Sequence, residues 1–295
     1  MILRPTNHSF VKFVPGVFLV YLSVPKVASS SISHALLRRC PTAPDDVTEH
    51  SIIGKCLTHW RPASAPRPDL PVFTYVRHPI EKFISFYRDK FIKARSRGFE
   101  LDALRQLGFT PEMGIDEVVS HMLTIPVRKM EHHAQPQHRI LAPKRQYLAN
   151  FTGQVEEIKN TWQYVKKVSL TDFDITTARN STAAAPDTSL SEESLAALVD
   201  YYADDFFLFG YTPSIAPTAT NLKRSDNRDK LSHRDRQALR SAMLSNNEAF
   251  FDLAQRLDEE QFHDDYKQRV VKASNDFLVF ANWRTSRASI RSAFG

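Results

Sequence analysis

Two short stretches of this sequence carry residue types that hold anions. In the first, Lys26 precedes Ser29, Ser30 and Ser31. A lysine supplies a point charge, and serine hydroxyls are short donors that follow the curve of a phosphate. In the second, Arg77 is followed eight residues later by Ser85, roughly two helical turns on. A guanidinium fork matches phosphate oxygens, and with a hydroxyl it could clamp a second phosphate. Each stretch also has an ordinary structural reading. Serines are good N-caps, and Arg77 can pair with a carboxylate. Metal chemistry has less support. His132, His133 and His138 lack a matching second ligand pair at zinc spacing, and Cys40 and Cys56 are the only cysteines, so no metal is expected.

The elements that must position these residues are legible around them. Residues 17–24 are apolar on both faces, the pattern of a strand buried in a parallel sheet. The loop Pro25 to Ser31 follows, and then Ile32, Ala35, Leu36 and Leu37 at helical spacing. A second strand reads at Val72–Val76, followed by Arg77-His78-Pro79 and a helix carrying Ile80, Phe83, Ile84 and Tyr87. Proline suits the first helical position. A strand, a tight loop and a helix N-terminus make an anion trap, because the first-turn N–H groups lack intrahelical partners. The first loop is not a Walker A motif, since Lys26 precedes its serines instead of abutting the last one.

Further along, residues 100–150 read as helix broken at Pro111, Pro126, Pro136 and Pro143. Residues 161–170 read as a helix running into a short strand, and Ile52–Leu57 as a short element. Thr176 to Ser189 reads as a polar loop. Ser191-Glu192-Glu193-Ser194 starts a helix with capping-box chemistry. Residues 213–227 read as a linker and 231–290 as amphipathic helices, with Leu239, Met243, Phe250, Phe251, Leu253 and Leu257 on their apolar faces.

The chain has 295 residues, 42% hydrophobic and 24% charged, enough to bury a substantial core. Eight glycines argue against glycine-rich nucleotide loops. The formal charge of +6 favours an anionic ligand. The longest apolar run is far short of the roughly 20 residues a membrane span needs, and Pro25-Lys26 makes it a poor signal peptide, so the chain reads as soluble and cytoplasmic.

Together the stretches VYLSVPKVASSSI and FTYVRHPIEKFISFYRDKF closely resemble the sulfotransferases, in particular the Golgi-type carbohydrate branch that includes the chondroitin and HNK-1 enzymes. Further stretches agree in order. Glu131-His132-His133-Ala134-Gln135-Pro136-Gln137 is similar to the family's D-x-H-W-x-P-Q segment. Residues 151–158 are similar to V-G-x-x-E-x-(I/L), and 202–211 to Y-x-x-D-F-x-x-F-G-Y. His78 stands where the family usually has Asp, and Ala134 where it has Trp.

The resemblance implies an α/β fold, with a P-loop-like central parallel β-sheet flanked by helices over residues 1–213. A helical C-terminal extension, 214–295, would pack on or beside that core. It implies a sulfuryl donor, 3′-phosphoadenosine 5′-phosphosulfate (PAPS), and transfer to an acceptor hydroxyl of a carbohydrate, without a metal. In that reading Lys26, Val27, Ala28, Ser29, Ser30 and Ser31 hold the 5′-phosphosulfate. Arg77 and Ser85 select the 3′-phosphate. Lys26 also stabilises charge on the leaving oxygen. His133 or His59 is the base, with glutamate as a third choice, and His133 and Gln137 meet the acceptor. No nucleic acid is expected, and the C-terminal helices offer an oligomer contact. Two other readings stand beside this one. One is a P-loop-like nucleotide kinase, which needs a metal and a true phosphate loop. The other is a non-catalytic binder of anionic glycans or nucleic acid, using Arg234, Arg236, Arg240, Arg284, Arg287 and Arg291.

Overall fold

Continuous apolar runs produce neighbouring buried strands. The computed structural model describes residues 11–13, 17–39, 58–60, 70–93, 102–175, 188–214 and 230–275. Its sheet has five strands in the order β3-β1-β2-β4-β5. These are β1 (Val11–Phe13), β2 (Val20–Leu22), β3 (Thr58–Trp60), β4 (Val72–Val76) and β5 (Phe151–Gln154). Strands β2, β4 and β5 are mutually parallel, whereas β1 runs antiparallel to both β2 and β3. All described residues of β2 and β4 are buried, as expected for parallel strands covered on both faces. The fold is thus α/β with a three-strand parallel sheet flanked by helices. The antiparallel β1 and β3 extend it on one side.

Helix α1 (Ser29–Leu37) follows β2, and α2 (Pro79–Tyr87) follows β4, as the apolar spacing requires. A π-helical turn, Arg88–Ile92, continues α2. Then come α3 (Asp102–Gln106), α4 (Ile115–Thr124), α5 (His138–Leu141), α6 (Ile158–Val168), α7 (Glu192–Tyr201), α8 (Ala203–Phe209) and α9 (His233–Arg256). Residues 260–275 form a last helix. Ser191 caps α7 by accepting from the Ser194 backbone N–H at 3.2 Å. The strand expected within 161–170 is absent: α6 runs to Val168 and ends in a turn, where Leu170 takes a positive φ of 51°. The readings at 52–57, at 176–187 and for most of the 213–227 linker lie outside the described residues, as do residues 276–295.

Two apolar cores form. One surrounds the sheet and draws on α1, α6, α9 and the last helix. Its centre is aromatic: Phe73 meets Tyr21, Tyr75 and Trp162, and Tyr75 meets Phe151. Gly153 on β5 allows this packing, since a Cβ there would lie 2.5 Å from the Tyr75 ring. The second core lies off the sheet among α2, the π turn, α3, α4, α7 and α8.

Helix α9 buries Leu239, Met243, Phe250 and Ala254 in the sheet core. It also covers the edge strand β5. The Asn247 side chain accepts from Thr152 N at 2.8 Å and donates to Thr152 O at 3.0 Å, and Asn246 donates to Ala149 O. An amide side chain thus serves where a sixth strand would otherwise pair. Two arginines of this helix are similarly engaged. Arg236 pairs with Asp204 at 2.6 Å, and Arg240 donates to Phe207 O and lies over its ring. They hold α9 to α8, whereas Arg234 is exposed. Arg284, Arg287 and Arg291 lie outside the described residues.

Candidate active site

Parallel pairing brings the two anion-binding stretches to one edge of the sheet. Val20 is level with Val72 and Tyr21 with Phe73. Because β2 and β4 are parallel neighbours, about 4.8 Å apart, the loops that follow Leu22 and Val76 leave the sheet at the same end. Thr74 Oγ1 donates to Leu22 O at 2.7 Å and locks this register.

The first corner is built from unusual backbone. Lys26 has φ 66° and Ala28 φ 47°, both left-handed, in residues that disfavour it. Ala28 is the N-cap of α1 and offers no side-chain cap. The Ile32 N–H bonds back to Ala28 O at 3.0 Å and closes the first turn of α1. Ser29 and Ser30 are half-buried and Ser31 is buried at this helix start. Val27 points into the sheet core. Lys26 forms an ion pair with Asp89 of the π turn, so the first corner is tied to the second core. Burial pulls the Lys26 ammonium down to about 8, although Asp89 works to raise it. Burial alone would raise the Asp89 carboxyl, but Lys26 and Lys90 bring it down to about 2.

The second corner is held from outside. Arg77 N donates to Gln137 Oε1 at 2.9 Å, and Gln137 Nε2 donates to Arg77 O at 2.8 Å. His78 N donates to Glu156 at 3.0 Å. His78 does not cap α2 with its side chain. Its ring packs edge-on against Phe206 and Tyr211, so the carboxylate at this turn comes from Glu156 instead. The Tyr211 hydroxyl lies 2.8 Å from Glu156 and 3.2 Å from Val76 O. The Arg77 guanidinium, 31% exposed, meets Glu81 at 3.5 Å among the described residues. Ser85 lies half-buried near the far end of α2.

The segment 131–138 closes the site. Asp205, fully buried, accepts from Gln137 N at 2.6 Å and from His138 N at 2.9 Å, and its Oδ1 lies 2.8 Å from His138 Nδ1. Lys82 on α2 is also fully buried and donates to the carbonyls of His133 and Gln135 at 2.7 and 2.8 Å. Burial pulls its ammonium down to about 8, against the pull of Asp205 and Glu131. Glu131 accepts from His133 N and lies 2.6 Å from His133 Nδ1 and 2.7 Å from His132 Nδ1. Burial drives the His133 imidazole down to about 3 despite that carboxylate, and the charges of His132 and Lys26 push the same way. Nδ1 of His133 faces Glu131, which leaves Nε2 as the ring nitrogen turned away from that carboxylate. Burial would raise Glu131, but its two histidine partners hold it well below the usual carboxylate range.

A family model described as the sulfotransferase family matches residues 12–212, more than half of the chain. The chain belongs to the sulfotransferase family. Neither a curated protein nor a solved structure matches it. Family membership makes this a sulfotransferase and replaces the nucleotide-kinase reading.

Within the sulfotransferase, the residues read from sequence are not all brought together. Lys26, Ser29, Ser30, Ser31 and Arg77 share the sheet edge, and Lys26 is close enough for its charge to bear on His133. His59 does not join them. It pairs with Lys12, which also pairs with Tyr21, so its backbone is level with Tyr21 and two strands, roughly 10 Å, from β2. Gln137 is not placed to meet an acceptor: it is fully buried and both ends of its amide hold the Arg77 turn. Glu131, His132 and His133 bring three ligand atoms within 4.8 Å of one another, a grouping that sequence spacing did not suggest. Here both imidazole nitrogens face a carboxylate oxygen, and the nearby Lys26 and Lys82 ammoniums disfavour a cation.

Sequence reasoning missed Asp89 and Lys82, and it met Glu156 and Asp205 only as the acidic positions of segments 151–158 and 202–211, without a role for either. Lys82 had a signal, since it lies on the same helical stripe as Pro79, Phe83 and Phe86. Asp89 had none, because its direction depends on the π turn.

Proposed function

We propose that this sulfotransferase moves a sulfuryl group from PAPS to a hydroxyl of a carbohydrate acceptor. The observation that carries the reading is the delivery of Lys26 and Arg77 to one sheet edge by adjacent parallel strands. The N-terminus of α1 and the hydroxyls of Ser29, Ser30 and Ser31 suit the 5′-phosphosulfate. Arg77, whose guanidinium is loosely held, suits the 3′-phosphate, with Ser85 of the following helix α2 as its companion.

In the reaction the acceptor oxygen forms a bond to sulfur while the bond from sulfur to the bridging phosphate oxygen breaks. The acceptor proton passes to Nε2 of His133, and 3′-phosphoadenosine 5′-phosphate (PAP) leaves. Lys26 stabilises the charge that grows on the leaving oxygen. Glu131 orients the imidazole and stabilises it once protonated.

The test is thermal denaturation with PAP, followed by transfer from PAPS to saccharides bearing free hydroxyls. Wild type should melt several degrees higher with saturating PAP. Lys26→Ala with Arg77→Ala should abolish that shift. His133→Ala should keep the shift and lose turnover. No shift in the wild type would overturn the donor assignment.

A further inference from the structure

The Lys26–Asp89 pair joins two parts of the chain that neither motif connects. Asp89 lies in the π-helical turn that continues α2, where an extra residue per turn redirects the side chains. It faces more than one cation. Lys90 Nζ lies 3.3 Å and Lys93 Nζ 3.9 Å from the same carboxylate. Lys26 is also close enough for its charge to bear on His133 and on the Lys82 ammonium, and Glu131 bonds to His133. A phosphosulfate arriving at the α1 N-terminus would meet Asp89 as a like charge unless Lys26 changed partner.

We propose that Asp89 is a positioning residue for Lys26, which it holds charged over the loop and yields to the donor phosphosulfate on binding. This rests on the donor reading given above. Burial makes the charged form of Lys26 costly, and Asp89 is the carboxylate that opposes this. Lys90 and Lys93 give Asp89 somewhere to go when Lys26 leaves, and they screen it from the incoming anion. Donor binding is then an exchange of one ion pair for another, with no bare ammonium at any stage.

The experiment is calorimetric titration of PAP into the full chain between pH 6.5 and 9.5, for wild type, Asp89→Asn and Asp89→Glu. At pH 6.5 the Asp89→Asn protein should bind PAP about fivefold more tightly, because a competing partner is gone. Its affinity should begin to fall at a lower pH than in wild type, because the buried ammonium has lost its counter-charge. Asp89→Glu should restore the wild-type profile. The double substitution Lys90→Met with Lys93→Met leaves the pair itself intact and should weaken PAP at every pH. A uniform loss of affinity in Asp89→Asn, with the alkaline break unmoved, would make Asp89 merely structural and overturn the assignment. So would an unchanged profile. No PAP binding by wild type would overturn the donor reading and this inference together, which separates the two failures.

Discussion

The two β-to-α corners do the same topological job by opposite means. The corner after β2 has left-handed residues at Lys26 and Ala28, no side-chain cap, and a lysine held by one ion pair. The corner after β4 has ordinary backbone, and Gln137 and Glu156 take up the N–H groups of Arg77 and His78. The first corner therefore meets an anion with Lys26 and the N-terminus of α1. The second has its turn amides already occupied, so recognition there falls to the Arg77 guanidinium. A turn meant to curl around a phosphate must keep its donors available, whereas a turn that aims one long side chain must not move.

The sharpest way to break this contrast is to remove the buttress of the second corner. Asp205 holds the segment carrying Gln137, and Gln137 holds Arg77. Asp205→Ala leaves two buried backbone N–H groups and a buried imidazole without their carboxylate, and Lys82 with Glu131 alone of its two counter-charges. It should cost about 3–5 kcal/mol of stability, measured by urea denaturation. In whatever fraction stays folded, preference for PAP over adenosine 5′-phosphate should fall, because that preference depends on the aim of Arg77. A loss of stability with the preference intact would mean that the second corner does not need its external clamp.

This dependence also explains which parts were legible in the sequence. The parallel strands and the helices after them could be read because apolar runs and helical spacing are local signals. Strands β1 and β3 have three residues each and no run to mark them. Segment 131–137 could be found as a motif, but not the division of labour within it. Gln137 and His133 are four residues apart, yet one is locked into the turn and the other keeps Nε2 turned away from its carboxylate. That difference is set by Asp205 and Glu131, and Asp205 is 68 positions away from Gln137. Asp89 was hidden for a different reason. A π turn changes which way a residue points without changing the composition around it.

The second prediction sharpens the comparison through pH. The Lys26 ammonium lies at about 8 because of burial, whereas a guanidinium stays charged throughout the accessible range. PAP binding prefers the charged form of Lys26. The dissociation constant should be flat below about pH 8 and then rise roughly tenfold per pH unit until the bound-state value is passed. A lysine in water would delay that rise to about pH 10. Lys26→Met should bind more weakly but show no break near 8, since Arg77 then carries the contact. A break that survives in Lys26→Met would place the titrating group elsewhere, and Lys82 would be the first to examine.

The smallest effect probes the backbone of the first corner directly. Ala28 is half-buried at the N-cap of α1 with φ 47° and ψ 21°. A left-handed alanine carries roughly 1 kcal/mol of strain that glycine does not. Against this, glycine adds freedom to the unfolded chain, at a cost of similar size. Relief of strain should win narrowly, because serine, the usual capping chemistry, is missing here and glycine is tolerated at an N-cap. Ala28→Gly should therefore change stability by less than about 1 kcal/mol, in the stabilising direction. PAP affinity should drop slightly as the loop gains freedom before binding. The opposite pattern, a clear loss of stability with affinity unchanged, would mean that the Ala28 methyl packs usefully against the sheet core and that the left-handed turn is a by-product of that packing.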